Sequence, residues 1–308
     1  MQNVNQTVEL RNPASTTNLG AGFDCFGLAL QLYLKVKGRI DLDAPSPCVI
    51  ELAKGNQNES LSRSADNLIY RTMAYTAKRQ GRTLPPVRLE IDNSIPVSRG
   101  LGGSAAAIIA GIKMFDLLCE ASLSNDQILR YATELEGHAD NAAPSLFGGF
   151  AVNCAGGEPD VISLRHPWPA DLKVIVVVPE IHLDTKLARA ALAELVNHRD
   201  AVFNLQRAAL FVAALSERRY DLLWEAMQDR LHQQKREKLV PGLAEALAVP
   251  KTPGLAGVAL SGAGPSVVAL ATDNFTEIGS ALSAGFERNG IATEVLQLEI
   301  DHEGISRG

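Results

Sequence analysis

The sequence is poor in cysteine, has no long apolar run and carries no excess of basic residues. Only four cysteines occur in 308 residues, at positions 25, 48, 119 and 154, and no two form a C-x-x-C pair. This spacing disfavours a zinc site or a thioredoxin-like motif, so we expect each cysteine to be a small reduced hydrophobe. Because no uninterrupted apolar run reaches about 18 residues, a membrane span is not expected. The formal net charge of −6 argues against a general nucleic-acid-binding surface.

The bulk composition is typical of a globular protein of the cytoplasm. Residues 1–5 contain neither basic residues nor an apolar core, so no signal peptide is expected. The hydrophobic share of 46% and the charged share of 21% lie in the ordinary range. A length of 308 residues exceeds what one core usually organises, which favours two domains. Composition says nothing about chemistry.

Hydrophobic patterns and turn residues predict strands and helices along most of the chain. Strands are expected at residues 7–11, 26–36, 49–53, 87–91, 150–153, 173–178, 257–261, 267–271 and 292–297. Helices are expected at residues 66–80, 105–118, 125–136, 142–147, 201–217, 220–230 and 275–289. Glycine and proline cluster over residues 155–170, which is typical of a linker. We therefore predict an N-terminal domain over residues 1–165 and a C-terminal domain over residues 166–308.

A glycine-rich segment, residues 96–104, lies between a predicted strand and a predicted helix. Its sequence is Pro-Val-Ser-Arg-Gly-Leu-Gly-Gly-Ser. Glycines let a backbone approach a ligand closely, and the free N–H groups of a helix N-terminus favour an anion. The segment is neither a GxxxxGK[ST] loop nor a GxGxxG loop, because no lysine follows the glycines and the spacing differs. On these residues alone, a polyphosphate cradle and a plain strand-to-helix turn are equally supported.

Three segments resemble the motifs of the GHMP kinases, a family named for galactokinase, homoserine kinase, mevalonate kinase and phosphomevalonate kinase. Residues 96–106 resemble the second motif, P-x-x-x-G-L-G-S-S-A-A, with Gly103 in place of the first serine. Residues 13–24, Pro-Ala-Ser-Thr-Thr-Asn-Leu-Gly-Ala-Gly-Phe-Asp, resemble the first motif. Residues 261–266, Ser-Gly-Ala-Gly-Pro-Ser, resemble the third. Three motifs in order make the resemblance specific, and it covers almost the whole chain.

The resemblance implies an α+β, two-domain GHMP kinase fold with the site in the cleft between the domains. The N-terminal domain would resemble domain 2 of ribosomal protein S5, and the C-terminal domain would be ferredoxin-like. The implied activity is ATP- and Mg²⁺-dependent phosphorylation of a small molecule. Homodimers are usual in the family, so a homodimer is expected, with no nucleic-acid or membrane partner.

Four details resemble the homoserine kinase branch of the family. The first motif lacks the Lys and Glu-His expected in mevalonate kinases and galactokinases. The other three are E-G-H-A-D-N at 136–141, T-K-L-A-R at 185–189 and D-R-L-H-Q-Q-K-R at 229–236, where Pro-Tyr is more usual at positions 234 and 235. This branch implies phosphorylation of the side-chain hydroxyl of L-homoserine to O-phospho-L-homoserine, a step of threonine biosynthesis.

The resemblance also implies roles for individual residues. Two arginines would bind the substrate carboxylate, because guanidinium pairs bidentately with it, and two aspartates would bind the ammonium group. The implied substrate-binding set is Asn18, Asp24, His138, Asp140, Arg189 and Arg236. The implied catalytic set is Asn141, Asp140 and His138. Metal binding falls to Ser104 and Glu136, with Glu134 in reserve. ATP binding falls to Asn67, Pro96, Val97, Ser98, Arg99, Gly100, Leu101, Gly102, Gly103, Ser104, Ala105 and Ala106.

Two questions stay open at the level of sequence. The proton of the substrate hydroxyl passes either to the γ-phosphate itself or to His138, whose ordinary pKa suits proton transfer near neutrality. The fold could also serve another GHMP kinase acting on a different small alcohol, or a sensor that binds ligand without turnover. Retention of Ser104, Glu136 and the loop glycines disfavours the sensor.

Overall fold

The computed structural model describes residues 6–53, 57–156 and 161–308. Residues 1–5, on which the expectation of no signal peptide rests, lie outside the described residues, as do Gly157 and Pro159 of the predicted linker. Among the described helices, none is both long and apolar enough to cross a membrane.

Eleven strands and ten α-helices make up the described part of the chain. The strands are β1 (Thr7–Thr17), β2 (Phe26–Ile40), β3 (Cys48–Leu52), β4 (Val87–Asn93), β5 (Phe150–Ala155), β6 (Val161–His166), β7 (Lys173–Pro179), β8 (Leu255–Leu260), β9 (Val267–Ala271), β10 (Thr293–Leu298) and β11 (Ser306–Arg307). The helices are α1 (Leu68–Arg79), α2 (Gly103–Leu118), α3 (Asn125–Glu136), α4 (Ala142–Phe147), α5 (Thr185–Ala190), α6 (His198–Ser216), α7 (Leu223–Ala226), α8 (Gln233–Arg236), α9 (Leu243–Leu247) and α10 (Phe275–Glu287). Short 3₁₀ turns occupy Tyr220–Leu222 and Glu237–Leu239.

The first sheet has seven strands, β1 to β6 and β11. Its order is β11-β1-β2-β4-β3, with β5 pairing to both β2 and β6. Only β3 and β4 run parallel among these pairs. Strand β4 alternates buried Val87, Leu89 and Ile91 with more exposed charged residues, so one face enters the core. Helix α2 is apolar on most of its faces and is buried among α1, α3 and the sheet.

The second sheet has four antiparallel strands in the order β10-β7-β9-β8. Counted within this sheet the order is 4-1-3-2, with helices between the first and second strands and between the third and fourth, as in a ferredoxin-like domain. Strand β7 is buried on both faces: Ile175 and Val177 contact one core cluster, and Val174 and Val176 contact the other. The expected α+β, two-domain architecture is confirmed.

Two predictions about the middle of the chain were wrong. The predicted linker at 155–170 contains strand β6, which pairs along its length with β5 and extends the first sheet. The alternating sequence of β6 favours a strand, although glycines and prolines lie on either side of it. The predicted helix at 220–230 ends at Ala226. The chain turns there because the Asp229 carboxylate accepts hydrogen bonds from the main-chain N–H groups of residues 231–233. The domain boundary near residue 165 stays a prediction.

Strand β1 continues past residue 11, where the predicted strand ended, and runs through Asn12 and Pro13. The pairing register with β2 shifts between Pro13 and Ala14, and this irregularity accommodates a residue that cannot donate to the ladder. The strand therefore reaches Thr17 and carries Ser15 and Thr16 into the site.

Candidate active site

A cleft of about 330 Å³ contains nearly all of the predicted site residues. Residues between positions 17 and 141 contribute most of its wall, and the second half of the chain contributes Thr185, Arg189, Arg236, Gly262 and Ala263. Ala105 and Ala106, predicted to bind ATP, are fully buried in α2 beneath the loop and do not line the cleft. The predicted residues that line it are Asn18, Asp24, Asn67, Pro96, Val97, Ser98, Arg99, Gly100, Leu101, Gly102, Gly103, Ser104, Glu136, His138, Asp140, Asn141, Arg189 and Arg236.

One end of the cleft is formed by the glycine-rich loop and the start of α2. Gly102 precedes the helix with φ at +68° and no side chain caps the helix N-terminus. The first N–H groups of α2 are therefore available to an anion in the cleft. A Cβ on Gly102 would lie 2.1 Å from Ser15 Oγ, and one on Gly100 would lie 2.3 Å from the Ser261 carbonyl oxygen. The loop needs glycine at both positions because its neighbours approach so closely.

The first and third motifs hold this loop from behind. Ser261 Oγ donates to the Gly100 carbonyl at 2.7 Å and shares a 2.9 Å hydrogen bond with Thr16 Oγ1. The Ser266 N–H donates to the Arg99 carbonyl at 3.4 Å. The three sequence motifs thus form one connected structure around the loop.

Two oxygen-bearing side chains that line the cleft are candidates to hold a magnesium ion. Ser104 is exposed in the first turn of α2, and Glu136 is half-buried at the end of α3; both line the cleft. Hard oxygen donors are what Mg²⁺ prefers. Glu134, the reserve candidate, points elsewhere: it accepts a hydrogen bond from Tyr75 and pairs with Arg79 at 3.0 Å. The donor set therefore favours Glu136.

Asn67 lines the cleft but its side chain is occupied. Its Oδ1 accepts from the Ile69 N–H at 3.0 Å and caps α1, and its Nδ2 donates to the Ser62 carbonyl at 2.8 Å. Asn67 therefore acts as the N-cap of α1, and its contact with adenine stays a prediction.

The other end of the cleft is built from charged side chains. Arg189 donates to both oxygens of Asp24, at 2.8 and 3.2 Å, so these two groups pair with each other. Burial lowers the pKa of Arg189, but the hydrogen bond and charge of Asp24 outweigh it and raise that pKa above its ordinary value. Sequence reasoning had assigned the two groups to opposite poles of a zwitterion without expecting them to pair.

Asp140 organises the polar residues beside this pair. It is buried, its Oδ1 contacts Nδ1 of His138, and it accepts from the Asn141 N–H at 2.8 Å. Burial lowers the pKa of His138, yet the hydrogen bond and charge of Asp140 prevail and raise it above the ordinary value. Ligand atoms of Asp24, His138 and Asp140 lie within 4.8 Å of one another, which suits a bound cationic group. Asn141 Oδ1 accepts from Ser15 Oγ at 2.9 Å.

Arg236 is 2% exposed and reaches the cleft from below. Its Nη1 donates to the Gly262 carbonyl at 3.0 Å and to His232 Nδ1 at 3.2 Å, and its Nε donates to the Ala188 carbonyl at 3.3 Å. Burial, with the nearby Arg189, lowers the pKa of Arg236 to about 10, so it stays charged at neutral pH. Nη2 makes no hydrogen bond to any described residue, which leaves this donor for a ligand.

Sequence reasoning missed several residues of this site. Thr17, Ser62 and Thr185 line the cleft, and His232 lies directly behind Arg236. The histidine stood within the D-R-L-H-Q-Q-K-R element, which was the only signal that could have identified it.

Comparison with known proteins assigns this arrangement to a family. Residues 67–149 match the GHMP kinases N terminal domain, and residues 211–288 match the GHMP kinases C terminal domain. The crystal structure of L. major mevalonate kinase in complex with R-mevalonate superimposes with a TM-score of 0.70, covering 93% of this chain and 95% of that one. At 15% identity, this likeness shows a shared fold. The chain belongs to the GHMP kinase family, and so is an ATP-dependent small-molecule kinase.

Homoserine kinases of other organisms are similar to this chain over nearly its whole length. The homoserine kinase of Persephonella marina is 40% identical over 301 residues, covering 98% of each chain. That of Deinococcus radiodurans is 41% identical over 297 residues, covering 96% of this chain and 95% of its own. A crystal structure of the homoserine kinase of Cytophaga hutchinsonii superimposes with a TM-score of 0.84 at 27% identity, covering 100% of this chain and 99% of that one.

Proposed function

We propose that this protein is a homoserine kinase, which transfers the γ-phosphoryl group of ATP to the side-chain hydroxyl of L-homoserine. The product is O-phospho-L-homoserine, an intermediate of threonine biosynthesis. One observation carries the proposal: a cleft with a helix N-terminus at one end has groups of both charges at the other, as a zwitterionic alcohol requires. The homoserine kinase relatives agree with this substrate.

The two poles of the substrate have distinct partners in the cleft. Arg236 offers its free Nη2 to the carboxylate, and a guanidinium donor and a carboxylate make a strong charge-assisted pair. Asp140 and Asp24 supply negative charge for the ammonium group. When the amine binds near Asp24, Arg189 can exchange part of its pairing with Asp24 for the carboxylate. The internal ion pair thus keeps both groups satisfied until the zwitterion replaces it.

At the phosphate end, the loop from Gly100 to Ser104 receives the β- and γ-phosphates through main-chain N–H groups. Phosphoryl transfer depends mostly on positioning and on stabilising negative charge. Ser104 and Glu136 would hold Mg²⁺, which neutralises phosphate charge when bound. Asn141 lies between the loop and the charged end, where it can orient the attacking hydroxyl.

The proton of the hydroxyl passes to the γ-phosphate in this proposal. His138 is the other candidate, but its Nδ1 is already hydrogen-bonded to Asp140. Burial lowers the pKa of His138, and the hydrogen bond and charge of Asp140 outweigh burial and raise that pKa above its ordinary value. His138 instead positions Asp140. A cytoplasmic homodimer stays a prediction from the sequence.

A coupled assay of ADP release tests the substrate. L-Homoserine is compared with mevalonate, galactose, L-serine and L-threonine in the presence of Mg-ATP. Turnover of homoserine well above the others is expected. Arg236→Ala should lower kcat/KM for homoserine by about 30-fold or more, because truncating a buried charged partner costs about 2–5 kcal/mol. Arg189→Ala should also lower it.

Arg219→Ala is the matched control, because Arg219 is exposed and pairs with Asp221 outside the cleft. Its kinetics should equal those of the wild type. Turnover of mevalonate or galactose without turnover of homoserine would refute the substrate and leave the kinase family intact.

A further inference from the structure

His232 is completely buried behind Arg236 and has a single possible protonation state there. Its Nδ1 lies 3.2 Å from Nη1 of Arg236, and its Nε2 lies 2.9 Å from the Gly20 carbonyl oxygen. A guanidinium only donates hydrogen bonds and a carbonyl only accepts them. These partners therefore require a neutral imidazole with its hydrogen on Nε2 and its lone pair on Nδ1.

The surroundings of His232 preserve this neutral form. Burial lowers its pKa, even though Asp229 and Asp24 favour a charge on the ring and Arg236 opposes one. The nearer carboxylate oxygen of Asp229 lies 3.7 Å from Nε2, too far for a hydrogen bond. That oxygen accepts instead from the N–H groups of His232 and Gln233, at 2.9 and 2.8 Å. A proton on Nδ1 would point at the guanidinium.

His232 also contacts the loop that carries Asp24. Gly20, which accepts from Nε2, lies in that loop, and the Phe23 ring stacks on the imidazole with centroids 5.1 Å apart. The guanidinium of Arg236 lies 5.6 Å from the same phenyl ring. One imidazole thus joins the loop of Asp24 to Arg236, the two groups that face opposite poles of the substrate.

We propose that His232 is a positioning residue: it sets the separation between Arg236 and the Asp24 loop, and so makes the site prefer an α-amino acid over an amine without the carboxylate. This inference rests on the proposed function, because it takes Arg236 to be the partner of the substrate carboxylate. His232 itself lies beneath the cleft and acts through Arg236.

Two variants separate the two hydrogen bonds of His232. His232→Phe keeps a ring against Phe23 but removes both bonds, and His232→Asn returns an acceptor near the position of Nδ1. His232→Phe should raise KM for L-homoserine about 10- to 100-fold, the range for losing a hydrogen bond to a charged group. KM for ATP should change by less than about 3-fold, since the loop at the other end is untouched. His232→Asn should recover much of the loss.

The inhibition constant of 3-aminopropan-1-ol, which is homoserine without its carboxylate, should be the same in wild type and His232→Phe. In an Arg236→Met background, His232→Phe should have no further effect on kcat/KM for homoserine. Additive losses in the double variant, or equal losses for homoserine and the amino alcohol, would show a merely structural role and overturn the proposal.

Nitrogen NMR of the ligand-free protein tests the geometry without any substrate. The wild type should show the neutral Nε2–H form of His232 between about pH 6 and 8, where a free imidazole titrates, with assignment by loss of the signals in His232→Phe. In Arg236→Met the Nδ1 signal should move toward that of an unbonded nitrogen. A charged ring or a hydrogen on Nδ1 would overturn the inference. Absence of homoserine turnover in the wild type would instead refute the proposed function and leave this result standing.

Discussion

In the proposed function, the two ends of the cleft bind charge by different means. At the phosphate end, the N-terminus of α2 has no side-chain cap, and close neighbours leave no room for a Cβ on Gly100 or Gly102. At the amino-acid end, Asp24, Arg189 and Arg236 offer side-chain charges that hydrogen bonds hold in place. The first end depends on space and backbone conformation, and the second on complementary charge. Substitutions should therefore act through sterics at one end and through electrostatics at the other.

The largest effect should come from adding one methyl group at the phosphate end. In Gly102→Ala the new Cβ would lie 2.1 Å from Ser15 Oγ and 2.8 Å from Asn141 Oδ1, at a φ of +68°. We expect kcat/KM for ATP to fall by about 100-fold or more, because small misplacements of reacting groups cost that much. Steady-state kinetics with varied ATP measures it.

Gly103→Ala is the matched control for that substitution. The nearest atom to its new Cβ among the described residues is Ile95 Cγ2 at 3.6 Å, and its φ is not positive. Activity should stay within about 3-fold of the wild type, since an ordinary contact costs little. Equal losses in Gly102→Ala and Gly103→Ala would mean that close packing does not define this end.

A smaller effect is expected from the carboxylate that would hold the metal. Glu136→Gln should raise the Mg²⁺ concentration for half-maximal activity by about 10- to 100-fold, as for other losses of metal-site partners. Glu134→Gln should leave that concentration unchanged, because Glu134 contacts Tyr75 and Arg79 instead. Titration of activity with Mg²⁺ compares them. A larger shift in Glu134→Gln would reverse the assignment.

Apart from the control variants, the smallest effect on rate should come from His138→Asn. We expect kcat to fall by less than about 10-fold, whereas loss of a true general base costs about 10²–10⁴-fold. The pKa of His138 is raised in the folded protein. The stability that the pair with Asp140 contributes is therefore fully present below the unfolded pKa of about 6.5, and it is lost as the pH rises through the folded pKa. The difference in Tm between wild type and His138→Asn should therefore shrink toward alkaline pH. A loss of kcat above about 100-fold would make His138 the base.

The sequence predicted the phosphate end better than the amino-acid end. The strand, the glycine-rich loop and the helix follow one another within residues 87–118. The local hydrophobic pattern and the motif were therefore enough to predict that the loop lies between a strand and a helix. Arg189 and Arg236 were found through short motifs, but their partners come from distant parts of the chain. The pairing of Arg189 with Asp24, and the hydrogen bond of His232 to the Gly20 carbonyl, join residues more than 160 positions apart.

Elements were predicted where periodicity was strong and were missed where tertiary contacts overrode it. Strand β6 was hidden by neighbouring glycines and prolines, and the two residues of β11 are too short to carry a pattern. The ferredoxin-like order of the second sheet came from the family resemblance, because pairing order is not visible in the hydrophobic pattern.

The pairing of β11 with β1 affects how the molecule can be divided. After completing the second sheet, the chain returns and joins the edge of the first, with Leu10 opposite Arg307. Dividing the chain once between its two halves would therefore separate the first sheet from its strand β11. The two halves should not be expected to fold as independent fragments, and their unfolding should be coupled.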